Sequence, residues 1–209
     1  METIRYGTFE TNSSSTHAIV VPKKVNDDNY CLYDSLDHNY GFGREECRLC
    51  DNWDEKLAYA YMLLKDNCEL SKDIEEFKSM VIDIWNNLDD GKKYQPTPQD
   101  VFNYIDRNGN DGNLTGDDSF LILTTRYGNY IDHSNELNDT NFLNRLKTDK
   151  DFVTRFIFNQ DSYITIGGDE YRGYNIKTIG FEYDYQNEED FDKKLKEYEK
   201  DNDVYLKGN

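Results

Sequence analysis

Strand-like segments occupy both ends of this chain, and its clearest helical segments lie between them. Near the N-terminus, residues 18–21 form an apolar run that suits a pleated, half-buried surface. Residues 163–166 and one or two stretches within residues 174–185 have the same character. This distribution indicates an α+β fold and not an alternating parallel one. We expect a single mixed or antiparallel sheet formed by N- and C-terminal strands, with helices packed on it.

Helical periodicity is strongest in residues 71–88, where apolar side chains recur every three or four positions. Ser71 can cap this helix. Thr97 and Pro98 are typical of another helix start, because Thr suits the cap and Pro the first helical position. Further helices are predicted at residues 52–65, with one apolar face, and at residues 140–147, 149–158 and 188–200. Further strands are predicted at residues 30–33 and 120–124, and residues 34–51 are expected to be irregular.

The length of 209 residues suffices for one domain with a sizeable core, and we expect a single α+β domain over residues 1–209. Seventeen Tyr and eleven Phe supply the apolar volume that such a core needs. No apolar run approaches the roughly 18 residues of a membrane span. The N-terminus also lacks the pattern of a signal peptide. The expected location is the cytoplasm, with no membrane partner.

The charge balance is strongly acidic, with 42 Asp and Glu against 24 Lys and Arg and a net charge of −18. Such a surface repels phosphate backbones, so direct nucleic-acid binding is not expected. The same field attracts basic surfaces, and the commonest of these in a cell belong to nucleic-acid-binding proteins. A surface that is acidic only for solubility is the alternative explanation.

Four potential metal ligands fall within residues 31–50. Cys31, His38, Cys47 and Cys50 have the spacing C-x6-H-x8-C-x2-C, and thiolates with imidazole are ligands that zinc prefers. A second matched pair of ligands is missing, so small buried thiols are the alternative to a structural zinc. Residues 106–117 resemble a calcium loop, but the glycine falls one place late and the last position is Asp. We interpret that segment as an Asn/Gly loop.

Residues 11–17 contain side chains suited to catalysis, because a run of hydroxyl groups ends there at His17. Ser13, Ser14 and Ser15 can supply a nucleophile or a phosphate cradle, His17 a base, and Arg5 an anion-binding group. Asp169 and Glu170 would complete such a site if the fold brought them there. A purely structural hydroxyl loop between two strands is the competing interpretation.

The same stretch carries a resemblance. Arg5, Gly7 and Phe9, followed by residues 11–17 (Thr-Asn-Ser-Ser-Ser-Thr-His), resemble the opening of a large group of uncharacterised proteins from phages and bacterial mobile elements. The resemblance covers under a tenth of the chain. It implies a phage-type origin and no particular catalytic activity.

Two functions follow as hypotheses. The first is an acidic phage-type protein that binds and inhibits a basic, nucleic-acid-handling host defence protein, such as a CRISPR effector. Its candidate surface is an acidic region with aromatic neighbours, formed by Glu182, Asp184, Glu188, Glu189, Asp190 and Asp192. A solvated strand and helix face would have the same composition. The second hypothesis is an enzyme that uses the N-terminal Ser/Thr/His loop with Arg5 for phosphate-ester, nucleotide or acyl chemistry.

Overall fold

A computed structural model describes ten ranges of the chain: residues 16–24, 41–42, 48–67, 71–88, 96–108, 130–131, 140–167, 175–176, 181–182 and 188–207. These ranges contain six helices: α1 (Trp53–Asn67), α2 (Ser71–Asn87), α3 (Pro98–Asn108), α4 (Thr140–Thr148), α5 (Lys150–Phe158) and α6 (Glu188–Tyr198). They also contain eight strands: β1 (Thr16–Pro22), β2 (Gly41–Phe42), β3 (Arg48–Cys50), β4 (Tyr130–Ile131), β5 (Tyr163–Gly167), β6 (Asn175–Ile176), β7 (Phe181–Glu182) and β8 (Asn202–Lys207).

The main sheet has four strands in the order β3-β5-β1-β8, and every neighbouring pair is antiparallel. The N-terminal strand β1 therefore lies between β5 and the C-terminal strand β8. One cross-strand row runs through Cys50, Ile164, Ile19 and Tyr205. This arrangement confirms the predicted α+β class and the antiparallel sheet built from both ends of the chain. Two small pairs, β2-β4 and β6-β7, lie outside this sheet.

Strand β1 is buried on both faces. Ile19 and Val21 belong to the main core with the helices, whereas Ala18 and Val20 belong to a second cluster that includes Leu195 of α6. Alternate residues of a strand point to opposite faces, so one continuous apolar run serves both clusters. The sheet thus separates α6 from the layer formed by the other helices.

Helix α1 lies at the centre of the helical layer. All its residues from Trp53 to Leu64 are buried. The sequence had predicted one apolar face on this helix, but α3, α5 and the sheet enclose it on several sides. Trp53 packs on Trp85 of α2 and Phe158 of α5, with ring centroids 4.7 Å and 6.1 Å away. Each such buried aromatic contributes on the order of 2–3 kcal/mol by removal of apolar surface from water.

The helix starts follow local capping chemistry. At α3, the carboxylate of Asp100 accepts hydrogen bonds from both the hydroxyl and the main-chain N–H of Thr97, at 2.7 and 2.8 Å. These bonds, the hydroxyl bond first, lower the pKa of Asp100. At α5, Asp149 accepts from the N–H of Phe152 at 2.9 Å. The predicted start of α3 at Thr97 and Pro98 is confirmed.

Strand β8 was not predicted from the sequence, and tertiary contacts explain its position. Arg145 of α4 donates to Asp203 at 2.7 Å and to the hydroxyl of Tyr205 at 2.9 Å. Its guanidinium also lies 4.0 Å from the ring centroid of Phe152. Strand β8, which begins with two polar residues and ends with a lysine, is therefore held by side chains that are distant in sequence.

Two further sequence predictions have different outcomes. Residues 34–51 were expected to be irregular, but strands β2 and β3 lie within them. The strands predicted at residues 30–33 and 120–124 lie outside the described residues. Among the helices that the structure describes, none has the length and apolar character needed to cross a bilayer.

Candidate functional site

His17 is the one member of the predicted hydroxyl/histidine site that the structure describes. It is the second residue of β1 and is completely buried on the face that carries Ile19 and Val21. Its Nδ1 atom lies 2.8 Å from the hydroxyl oxygen of Tyr59 on α1. The strand therefore begins before the histidine, and the imidazole lies inside the protein between sheet and helix.

Tyr59 provides a neutral partner for this imidazole. Burial raises the pKa of the Tyr59 hydroxyl well above its usual value, and the neighbouring Cys50 raises it further. Phe42 packs edge-on against the Tyr59 ring, with centroids 5.1 Å apart. A phenol that remains protonated, next to an imidazole and apolar rings, forms a polar contact within the core. It has the properties of a structural hydrogen bond.

Cys50 lies in the same buried region. It is the last residue of β3, pairs in register with Ile164, and is completely buried. The other three proposed zinc ligands, Cys31, His38 and Cys47, lie outside the described residues. Within the ranges that the structure describes, no group of three or more His, Cys, Asp or Glu residues is arranged to hold a metal ion. The zinc site stays a prediction.

Arg5, Ser13, Ser14 and Ser15 also lie outside the described residues, but strand pairing determines where their segment joins the sheet. Thr16, which follows the serines, pairs with Gly167 at the end of β5. The hydroxyl-rich block and the segment that begins with Gly168 and contains Asp169 and Glu170 therefore join the sheet at the same end. The enzyme hypothesis stays a prediction, and the buried position of His17 does not favour it.

Sequence reasoning missed a second buried polar group, centred on Lys56 of α1. Its ammonium group donates to the main-chain oxygen of Asn159 at 2.7 Å and of Ser162 at 3.1 Å, and it lies 2.8 Å from the Ser162 hydroxyl. The Ser162 hydroxyl in turn lies 2.7 Å from the Phe156 carbonyl at the end of α5. Lys56 and Ser162 are both completely buried.

This pair resembles a serine–lysine dyad in distance but not in chemistry. The Lys56 nitrogen donates to the Ser162 hydroxyl, which in turn donates to the Phe156 carbonyl, so the lysine is not arranged to remove a proton from the serine. Neither side chain is exposed to solvent, so a substrate has no access to them. The ammonium instead satisfies carbonyl groups at the C-terminal end of α5, where a positive charge is favoured. No local pattern in the sequence distinguishes Lys56 from a surface lysine.

The proposed partner-binding residues lie mostly on α6. Glu182 is in β7, and Glu188, Glu189, Asp190 and Asp192 occupy the first half of α6, whereas Asp184 lies outside the described residues. The second half of α6 is rich in lysine, and a helix dipole favours acids at its start and bases at its end. This charge order therefore has a structural explanation that needs no partner. Leu195 and Tyr198 pack on the sheet, and the Tyr198 hydroxyl lies 3.1 Å from that of Tyr163.

The acidic excess is unevenly distributed along the chain. Of its 42 acidic residues, 22 lie in the described ranges, whereas 17 of its 24 basic residues lie there. Most of the net charge of −18 therefore comes from the remaining segments. Within the described ranges, many basic side chains pair with carboxylates that connect helices, such as Lys147 with Asp73 at 3.4 Å.

Asp106, the first residue of the calcium-like segment, is one of these carboxylates. It accepts hydrogen bonds from Tyr61 at 2.7 Å, from Lys65 at 3.0 Å and from Lys78 at 3.2 Å. Two ammonium groups on one carboxylate disfavour a cation there. Asp106 therefore has a structural role that connects α1, α2 and α3. Residues 106–108 belong to α3, and the rest of the segment, residues 109–117, lies outside the described residues, so its interpretation as an Asn/Gly loop stays a prediction.

Comparison with known proteins adds no relative to this description. No protein-family model, no curated protein and no solved structure matches the chain. Function is therefore inferred from the chain's own residues and from the resemblance of its opening segment.

Proposed function

We propose that this protein is an acidic, phage-type inhibitor that binds a basic, nucleic-acid-handling host defence protein, such as a CRISPR effector, and blocks its access to nucleic acid. The burial of His17 in the core is the observation that favours this proposal over the enzyme hypothesis. A general base must reach the proton that it removes, directly or through one water. His17 is completely buried and bonded to Tyr59, so it supports the packing of β1 on α1.

Charge supports the choice of a basic partner. A net charge of −18 on 209 residues creates a long-range field that accelerates encounter with a basic surface. The same field opposes direct contact with phosphates, so competition with nucleic acid for the partner's basic groove is the favoured mode of inhibition. Association should be fast at low salt and slower as salt screens the field.

The acidic region on β7 and α6 is the proposed contact surface. Helix α6 packs on the sheet through Leu195 and Tyr198, on the side opposite the other helices. It is thus separated from the main core, and changes on its outer face should leave that core intact. Charged residues at the rim of an interface contribute mainly to the rate and specificity of association.

A matched pair of variants tests this surface. The first replaces Glu188, Glu189 and Asp190 by Gln, Gln and Asn, and the control makes the same changes at Glu75, Glu76 and Asp151, which are exposed on the helical layer across the sheet. Both variants lose three negative charges. The readout is displacement of fluorescent duplex DNA from a purified CRISPR effector with its guide RNA, measured at two salt concentrations.

The proposal predicts that the α6 variant loses inhibitory potency by about tenfold or more, whereas the control loses only what the smaller net charge explains. Equal potency of the two variants would place the contact surface elsewhere on the protein. Failure of the wild-type chain to bind a panel of basic nucleic-acid-binding host proteins would remove the inhibitor proposal itself.

The enzyme remains the second candidate because Thr16 pairs with Gly167, so the serine block and the Asp169/Glu170 segment join the sheet at one end. In that case Ser13, Ser14 or Ser15 supplies the nucleophile and Arg5 holds an anion. The decisive variant is Ser14→Ala, compared with Ser79→Ala on the exposed face of α2. Loss of the biological effect with Ser14→Ala alone, in a folded protein that still binds its partner, favours the enzyme.

A further inference from the structure

Strand β8 forms one edge of the main sheet, and no strand among the described residues pairs with its outer side. The opposite edge, β3, has three residues, whereas β8 has six and pairs with β1 without interruption from Asn202 to Lys207. A short edge strand is a common protection against pairing with other chains. A longer, regular edge offers a row of main-chain N–H and C=O groups to another strand.

Partly exposed apolar side chains border this edge on the side of α6. Val204 and Leu206 pack beside Leu195 and are only partly buried, whereas Ala18 and Val20 on the neighbouring strand are fully buried. The apolar cluster under α6 thus continues to the edge of the sheet. A strand added to β8 would cover the exposed part of this cluster.

We propose that β8 pairs antiparallel with β8 of a second copy of this chain, around a twofold axis at Tyr205. In this register Val204 opposes Leu206 of the second copy, and Asp203 opposes Lys207. Both pairs occur twice because a twofold interface is self-complementary. Apolar pairs and opposite charges directly across two antiparallel strands are favourable.

The sequence of β8 selects both the occupant and the register. With the axis at Val204, Asp203 would oppose Tyr205 and Asn202 would oppose Leu206. Each polar residue would then lie opposite an aromatic or aliphatic side chain, which is unfavourable. Only the register at Tyr205 matches charge with charge and apolar with apolar. Within one copy, Arg145 and Arg155 both contact Asp203 through Oδ2.

Cysteine pairing tests the register in the full-length chain. Val204→Cys and Leu206→Cys are prepared separately and then mixed under mild oxidation. The proposal predicts a disulfide-linked dimer in the mixture and little with either variant alone, because each residue is directly opposite the other and only diagonal to itself. Diagonal positions exceed the roughly 7 Å between Cα atoms that a disulfide allows. The wild-type chain gives the background from its four native cysteines.

Mass measurement tests the dimer without any substitution. Sedimentation equilibrium of the wild-type chain should give twice the 24.7 kDa of one copy at high concentration. Lys207→Glu should raise the dissociation constant about tenfold, since it opposes Asp203 twice. Lys196→Glu, the same charge change at an exposed position of α6, should have a much smaller effect. A wild-type monomer at every concentration, or equal crosslinking of single and mixed cysteine variants, overturns the proposal.

Discussion

The Nδ1 atom of His17 lies 2.8 Å from the hydroxyl oxygen of Tyr59, and both side chains are completely buried between β1 and α1. Because the preceding residues are the hydroxyl-rich block, this bond fastens the start of β1, and therefore the end of that block, to the central helix. His17, which ends the N-terminal motif, thus has a structural role.

The first prediction concerns this bond. Tyr59→Phe removes the hydroxyl and leaves the buried imidazole with one bond fewer, so the free energy of unfolding should fall by about 1–3 kcal/mol. Tyr198→Phe is the control, because its hydroxyl is only partly buried and should cost less. Urea unfolding followed by fluorescence gives both values. Equal losses for the two variants would contradict the role assigned to the His17–Tyr59 bond.

Lys56 carries the second prediction. Lys56→Met preserves the apolar stem but leaves the carbonyl oxygens of Asn159 and Ser162 without their ammonium donor, so stability should fall by about 2–4 kcal/mol. Lys193→Met, on the exposed face of α6, should change stability by under about 0.5 kcal/mol. Thermal and urea unfolding measure both variants. A stable Lys56→Met protein would show that water replaces the ammonium group.

The third prediction follows from Asp106. Burial alone would raise its pKa, but hydrogen bonds from Tyr61, Lys65 and Lys78 lower it below the ordinary 3.8. Because the folded pKa is the lower one, the stabilisation is fully present above the unfolded pKa and is lost as pH falls through the folded pKa. Solvent screens part of the effect, since the Asp106 side chain is 39% exposed.

Asp106→Asn should therefore lower stability at neutral pH and weaken the dependence of stability on pH in the acid range. Asp151→Asn, an exposed carboxylate at the start of α5, serves as the control. Urea unfolding at a series of pH values between neutral and pH ~3 measures the effect. A variant with an unchanged acid dependence would indicate that Asp106 is screened in the folded protein.

Zinc content provides the fourth prediction. Protein purified without chelators should carry up to one zinc per chain if Cys31, His38, Cys47 and Cys50 form a site, because thiolate and imidazole ligands bind zinc tightly. Cys31→Ser should then lose the metal, whereas Cys68→Ser should keep it. Elemental analysis of the three proteins is sufficient. Metal-free wild-type protein would remove the zinc site.

The fifth prediction concerns nucleic acid. At physiological salt the isolated protein should show no measurable affinity for duplex DNA or RNA, because its net charge opposes the counterion release that drives such binding. Fluorescence anisotropy at several salt concentrations measures this. Sub-micromolar binding would show that a local group of lysines, such as those in the second half of α6, outweighs the overall charge.

Local chemistry in the sequence was enough for much of the secondary structure. The start of α3 at Thr97 and Pro98, the apolar period of α2 and the strand at residues 163–166 depend on neighbours within a few positions. Such patterns act through capping, helical spacing and strand alternation, so they can be interpreted without a partner segment. The α+β class followed from their order along the chain.

Only the tertiary structure decided which polar residues the core encloses and which strands meet. Lys56 has the same local context as an exposed lysine, yet contacts about a hundred positions away bury it. Likewise, β8 depends on Arg145, and Cys50 lies in a strand because β5 pairs with it. Burial and strand pairing depend on contacts between residues that are distant in sequence, so a local sequence pattern cannot predict them. The sequence placed His17 at the end of a polar loop. Tertiary packing instead places it in the core, where it is hydrogen-bonded to Tyr59.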